Sequence, residues 1–156
     1  MHKTLPKLTD IHLAATVQDR FGRAIGDVSR AWNDKLSQRL KPLGLTQSKW
    51  RALLYVSRMQ DGISQTDLAR LLGIEAPTLT RLVKQLEESG WISRRALPDD
   101  GRCKMVRLTT KARKIIVRIE AEVVRLRAET VGRLSEKQAL VGLETLQALQ
   151  RYLDEI

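Results

Sequence analysis

One stretch of the sequence combines hydroxyl, guanidinium and ammonium side chains at helical spacing. Its outward positions are Pro77, Thr78, Thr80, Arg81 and Lys84. At about 100° per residue they lie opposite the leucines of the same segment. Guanidinium and ammonium groups donate hydrogen bonds to guanine and phosphate, and threonine methyl groups contact thymine. The five residues therefore predict a surface that reads the major groove of duplex DNA; the alternative is a basic helix face that only meets solvent.

A second group of cations lies just downstream, on either side of the turn LPDDGR. These cations are Arg94, Arg95, Arg102 and Lys104. An arginine at the tip of a β-ribbon can enter a narrow minor groove, where the potential is most negative, while its neighbours bind phosphate. Either Asp99 or Asp100 is expected to orient an arginine there. The two runs WISRRA and CKMVRLT therefore predict a basic hairpin beside the first surface.

The element that must hold the first surface is a pair of short helices joined by a tight turn. Ser64 can cap the first helix, Gly73 can supply the positive φ that ends it, and Pro77 suits the first turn of the second. Ala69 is small enough to let the two helices approach closely. The segment from residue 65 to 84 therefore predicts a helix-turn-helix.

Four further helices are predicted around these elements. They run from about Ile11 to Lys41, from Thr46 to Asp61-Gly62, from Thr110 to about Arg133, and from Ser135 toward the C-terminus. The long outer helices carry apolar stripes that so small a centre cannot cover, which favours packing against a second copy of the chain. A monomeric bundle is the alternative.

The expected fold class is mostly α with a small β-hairpin wing, that is, a winged helix-turn-helix plus a helical dimerisation region. We place the DNA-binding lobe at residues 46–109. The dimerisation region is placed at 10–42 and 110–156, within one compact chain.

The composition of the chain favours a polyanionic binding partner. The 156 residues include 28 Lys and Arg against 18 Asp and Glu, a net charge of +10. A single cysteine excludes an internal disulfide and a C-x-x-C site, so a reducing cytoplasmic setting is expected. No apolar run is long enough for a signal peptide or a membrane span. The two histidines, His2 and His12, match no catalytic motif, so we expect no enzyme activity, no cofactor and no metal.

Four segments together resemble the MarR family of transcriptional regulators, most closely its SlyA/RovA branch. They are RLKPLGLTQSKW, the helix-turn-helix, LEESGWISR and DGRCKMVRLTTKA. The last is similar to the wing signature of that family, D-x-R followed by V-x-L-T. The resemblance spans residues 15–156.

The resemblance implies a homodimer on pseudo-palindromic promoter DNA, with recognition helices in successive major grooves and wings in the flanking minor grooves. Arg102 would be the wing-tip arginine, held by Asp100. Members of the family often bind small phenolic carboxylates, and binding weakens their affinity for DNA. Trp32, Trp50 and Arg51 are then candidates for the wall of an effector pocket; the alternative is that both tryptophans are core residues.

Two other functions stay open at this stage. The chain could be a basic helical adaptor for an acidic protein or an anionic surface. It could also be a redox-responsive regulator, because Cys103 lies between Arg102 and Lys104 and cationic neighbours lower the pKa of a thiol. The alternative for Cys103 is a neutral packing thiol.

Overall fold

The computed structural model describes residues 16–97 and 99–156. Over those residues it contains six α-helices and three β-strands, which confirms a mostly helical fold with a small β wing. The helices are α1 (Val17–Leu40), α2 (Gln47–Ser57), α3 (Gln65–Leu72), α4 (Ala76–Glu88), α5 (Ala112–Glu129) and α6 (Glu136–Asp154). The strands are β1 (Ile63–Ser64), β2 (Ile92–Leu97) and β3 (Asp100–Leu108).

The ends of the outer helices differ from the prediction. The predicted start at Ile11 is wrong: α1 begins at Val17, because Thr16 and Asp19 form a reciprocal capping box. Residues 11–15 lie outside the described part of the chain. At the other end of the fold, α5 ends at Glu129 and not at Arg133, because the backbone of Thr130 (φ −120°, ψ −83°) leaves the helical region. A single 3-10 turn, Val131–Arg133, then leads to α6.

The predicted helix-turn-helix is confirmed as α3 and α4. The Ser64 hydroxyl accepts a hydrogen bond from the backbone N–H of Asp67 and so caps α3. Gly73 ends α3 in the left-handed conformation, with φ +66°. Pro77 lies in the first turn of α4, where its missing N–H leaves no hydrogen bond unmade. Gly73 therefore sets where α3 ends, and Pro77 favours the start of α4 just after the turn.

The wing is a sheet of three strands and not a hairpin of two. Its order is β1-β3-β2, all antiparallel, and Ile63 of β1 pairs with Val106 of β3. Sequence reasoning missed β1 because two residues are too few to show a period of alternation. The predicted six-residue turn is also too long, since Leu97 pairs with Asp100 across a register irregularity. Buried side chains from each strand (Ile63, Ile92 and Val106) fasten the sheet to the helices.

One hydrophobic core joins the lobe to the outer helices. Leu36 and Leu40 from the end of α1 and Ile116, Ile119 and Leu126 from α5 pack with the leucines of α2, α3 and α4. Arg39 reinforces this junction on its surface: its two terminal guanidinium nitrogens, Nη1 and Nη2, donate hydrogen bonds to the carboxylate of Glu129 of α5. This bond lowers the pKa of Glu129 and raises that of Arg39. The lobe is therefore anchored on α1 and α5 through shared side-chain packing.

The far parts of α1 and α6 carry a large uncovered apolar surface. Val28 of α1 is 67% exposed, and Leu140 of α6 is 54% exposed. None of the residues of α6 is buried. Between the two helices lies an apolar trough of about 450 Å³, lined by Phe21, Ile25, Trp32 and Leu146 among others. Exposure of so much apolar surface to water is unfavourable, so these faces of α1 and α6 are expected to pack against a partner.

Candidate nucleic-acid interface

Helix α4 buries one face and presents the other to solvent. Leu79, Leu82, Val83 and Leu86 are buried against the lobe core. The opposite face is exposed over its whole length, and it holds all five predicted groove-reading residues: Pro77, Thr78, Thr80, Arg81 and Lys84. Arg81 and Lys84 form no hydrogen bond or ion pair with the residues that the structure describes. Their charges are therefore available to an external anion.

Thr80 has a more limited role than its hydroxyl suggests. The side-chain oxygen donates its proton to the carbonyl of Ala76, at 3.0 Å, one turn earlier in α4. A hydroxyl bonded in this way can still accept a hydrogen bond, and its methyl group remains exposed. Thr80 is thus suited to an amino donor or a thymine methyl, and not to a base acceptor.

The wing and α4 meet along a shared groove. A cavity of about 330 Å³ is lined by the start of α3, by Thr80 of α4, and by three wing cations, Arg94, Arg102 and Lys104. Arg102 and Lys104 are exposed there. Sequence reasoning did not name the α3 residues of this groove, which include Gln65 and Thr66. Their contribution comes from the packing of α3 under the wing, which no local pattern encodes.

Gln65 is the one polar side chain in the described part of the chain with a buried unpaired atom. Its Oε1 is shielded from solvent and meets no donor among the described residues. A buried acceptor without a partner is unfavourable, so the groove suits an occupant that supplies an N–H, an O–H or a bridging water.

The two neighbouring arginines of β2 have different surroundings. Arg94 donates to both carboxylate oxygens of Glu87 on α4, Nη2 to Oε1 at 2.9 Å and Nε to Oε2 at 3.2 Å. Successive residues of a strand point to opposite faces, so Arg95 points away from α4 and is exposed. Sequence reasoning treated the two arginines as equivalent and missed the contact of Arg94 with Glu87. Both arginines remain predicted contacts, but Arg94 already has an anionic partner.

The ion pair between Arg94 and Glu87 shifts the pKa of both residues. Hydrogen bonding by the Arg94 guanidinium lowers the pKa of Glu87, and the same bond raises the pKa of Arg94. The pair lies part-buried between the end of α4 and the wing. It therefore links α4 to β2 at neutral pH.

Two predicted wing residues lie in β3, but their side chains are outside the described part of the structure. Asp100 begins the strand opposite Leu97, and Cys103 follows three residues later. The role of Asp100 in holding Arg102 and the redox role of Cys103 stay predictions.

The three predicted effector-pocket residues line a single cavity of about 330 Å³ between α1, α2 and α5. Trp50 is only 4% exposed, and its indole N–H donates to the Ser37 hydroxyl at 3.1 Å. Trp50 is thus a core residue that also forms part of the cavity wall. Trp32 is partly buried, and Arg51 carries the charge that was expected. Sequence reasoning missed the other cations of this wall, Arg58 and Arg127, because they come from separate elements.

No group of three or more His, Cys, Asp or Glu in the described ranges could hold a metal ion. Across residues 16–97 and 99–156, no helix combines the length and the apolar character needed to cross a membrane.

Comparison with known proteins identifies the architecture. The sequence pattern of the MarR family matches residues 43–102. The solved structure of the transcriptional regulator PA3341 is 35% identical, covering 87% of this chain and 99% of that one with a TM-score of 0.81. MepR from S. aureus in complex with DNA is 25% identical, covering 85% and 97% with a TM-score of 0.74.

A third structure, CouR from Rhodococcus jostii RHA1 bound to p-coumaroyl-CoA, shares the fold at 22% identity, covering 87% of this chain and 95% of that one with a TM-score of 0.74. The family pattern covers most of the lobe, and the 35% identity to PA3341 extends over nearly the full length of that regulator. The chain therefore belongs to the MarR family of transcriptional regulators.

Proposed function

We propose that the protein is a cytoplasmic, sequence-specific regulator that binds duplex DNA as a homodimer, and that it is of the SlyA/RovA type. The observation that carries the proposal is the exposed basic face of α4 beside the wing groove. Arg81 and Lys84 have no described intramolecular partner, and Arg102 and Lys104 lie across the groove from Thr80. A helix with this face enters the major groove, while the wing follows the adjacent minor groove.

The homodimer is supported by the uncovered apolar faces of α1 and α6. A second copy that inserts its own helices would cover the trough between them and remove those faces from water. Two lobes related by a twofold axis would then bind the two halves of a pseudo-palindromic promoter site, with half-sites ~34–36 Å apart. Analytical ultracentrifugation at micromolar concentration is expected to give the mass of two chains, and a stable monomer would contradict this part of the proposal.

A small aromatic anion is the proposed effector, bound in the cavity that contains Trp32 and Arg51. The cavity lies between helices of the dimerisation region and α2 of the lobe. A ligand there touches both parts and so can change the angle at which the lobes are presented to DNA.

The test of DNA binding begins with selection of a preferred duplex from random sequences. Fluorescence anisotropy on that duplex then compares Arg102→Ala with Lys137→Ala, which removes the same charge from the exposed start of α6. We expect Arg102→Ala to weaken binding by about tenfold, as for the loss of one specific contact, and Lys137→Ala to change it less than twofold. Equal affinity for selected and random duplexes, or an unchanged affinity in Arg102→Ala, would contradict the proposal.

A further inference from the structure

The cavity between α1, α2 and α5 concentrates positive charge from two elements. Arg51 and Arg58 belong to α2 and its C-terminal cap, and Arg127 comes from the last turn of α5. No aspartate or glutamate lines this cavity. Among the residues that the structure describes, none of the three arginines has a carboxylate within 4.0 Å or a side-chain hydrogen bond.

Three arginines line a space of about 330 Å³, and their like charges repel one another, although Arg58 and Arg127 are exposed and solvent screens part of that repulsion. Elsewhere in the described chain, comparable arginines are neutralised by neighbours: Arg94 by Glu87, and Arg39 by Glu129. Like Arg81 of α4, the three cavity arginines have no described carboxylate partner, but they line one shared cavity. Their mutual repulsion falls when an anion binds among them.

The rest of the wall determines what kind of anion fits. Trp32 and Tyr55 are partly buried and present aromatic surface, while Asn33 adds an amide. The indole N–H of Trp50 is already bonded to Ser37, so Trp50 supplies apolar surface alone. A cavity of this volume is at the small end of ligand sites and holds one or two rings.

From these features we propose that the cavity binds an aromatic dianion, a single ring system carrying two negative charges, such as an aryl phosphate or an aromatic dicarboxylate. The proposal rests on the effector role assigned above and specifies its charge. One carboxylate is fully engaged by one arginine in the bidentate geometry. A monoanion therefore leaves two of Arg51, Arg58 and Arg127 uncompensated, whereas a second anionic group compensates another.

The second negative charge of the ligand also allows it to connect two different elements of the fold. Arg51 and Arg58 belong to α2 of the lobe and its C-terminal cap, whereas Arg127 belongs to α5, which packs against α1. A dianion that contacts both sets bridges the lobe to the dimerisation region. A monoanion can be held by one set alone, so it fixes the lobe less firmly.

Isothermal titration calorimetry on the DNA-free protein at pH 7.5 tests the proposal with four probes: benzoate, phthalate, phenyl phosphate and inorganic phosphate. We expect phthalate and phenyl phosphate to bind at least about tenfold more tightly than benzoate, as for one additional charge-assisted contact. Inorganic phosphate is expected to bind more weakly than phenyl phosphate, because it cannot use the aromatic wall. Which of the two dianions binds more tightly identifies the preferred head group.

Variants assign the effect to the arginines. Arg127→Ala is expected to reduce the affinity for the dianions to that for benzoate, while the affinity for benzoate changes less than twofold. Arg58→Ala, at the C-terminal cap of α2, is expected to have the same effect on the affinity for the dianions. Arg118→Ala is the matched control, because it removes an exposed arginine from the same helix, outside the cavity wall. Circular dichroism melting of each variant verifies that the fold is retained.

Several outcomes would overturn the inference. Equal affinity for benzoate and phthalate would refute the requirement for two charges, and equal affinity for inorganic and phenyl phosphate would refute the aromatic part. Absence of binding by all four probes would refute the site. Duplex affinity of the ligand-free protein is measured separately, so that a failure of DNA binding is distinguished from a failure of this proposal.

Discussion

The contact between Glu87 and Arg94 allows a direct test of how the wing engages DNA. Glu87→Gln removes the negative charge and one of the two acceptor oxygens that hold the Arg94 guanidinium. The side chains are 39% and 24% exposed, so solvent screens the pair and its loss is expected to lower the free energy of unfolding by only about 0.5–1 kcal/mol. The variant therefore folds, and its guanidinium is released beside the groove.

A released Arg94 is expected to gain one phosphate contact. Each contact steepens the plot of log affinity against log salt by about 0.9. Between 50 and 200 mM salt this corresponds to a factor of about 3.5, so the gain in affinity from Glu87→Gln is larger by about that factor at 50 mM than at 200 mM. Fluorescence anisotropy titrations on the selected duplex, at four salt concentrations, measure the slope.

The double variant separates this effect from a general change in charge. In an Arg94→Ala background, Glu87→Gln is expected to leave the salt slope unchanged, because no guanidinium remains to be released. An identical slope in the unmodified protein and in Glu87→Gln would refute the reasoning, and Arg94 would then act within the protein alone, as a tie between the wing and α4.

Two further predictions concern stability, each measured at fixed protein concentration. Gly62→Ala is expected to destabilise the fold clearly more than Gly73→Ala. Both glycines have positive φ, which costs a residue with a Cβ about 1–2 kcal/mol, but a Cβ at Gly62 would lie 2.7 Å from a backbone carbonyl of β3, whereas nothing lies within 4 Å at Gly73. Equal melting temperatures of the two variants would contradict this. Secondly, because the pKa of Glu87 is lowered in the folded state, the stabilisation by its pair with Arg94 is fully present above the ordinary value of 4.5 and is lost as the pH falls through the lowered value. The difference in melting temperature between the unmodified protein and Arg94→Ala should therefore shrink below about pH 4.5, and a constant difference down to pH 3 would exclude the ion pair as its source.

Sequence reasoning succeeded where the determining interactions are local. The caps at Ser64 and Ser135 and the left-handed glycine at position 73 lie within a few residues of the helix ends that they set, so short motifs predicted those ends. It failed for β1, whose two residues become a strand only through pairing with β3. The bond between Arg94 and Glu87 was missed for the same reason, because the two residues approach only after α4 and β2 have packed together.

In the segment that forms the helix-turn-helix and the wing, the positions of the charged residues matter more than their net charge. Residues 61–110 contain 8 basic and 7 acidic side chains, which is almost neutral. Two acidic side chains of this segment form contacts within the protein. Asp67 hydrogen-bonds Ser64 and Arg70 at the start of α3, and Glu87 accepts hydrogen bonds from Arg94. Arg81 and Lys84 have no such partner among the described residues. A nearly neutral segment can therefore present a cationic face, since Asp67 and Glu87 are engaged with Arg70 and Arg94 while Arg81 and Lys84 remain exposed along α4.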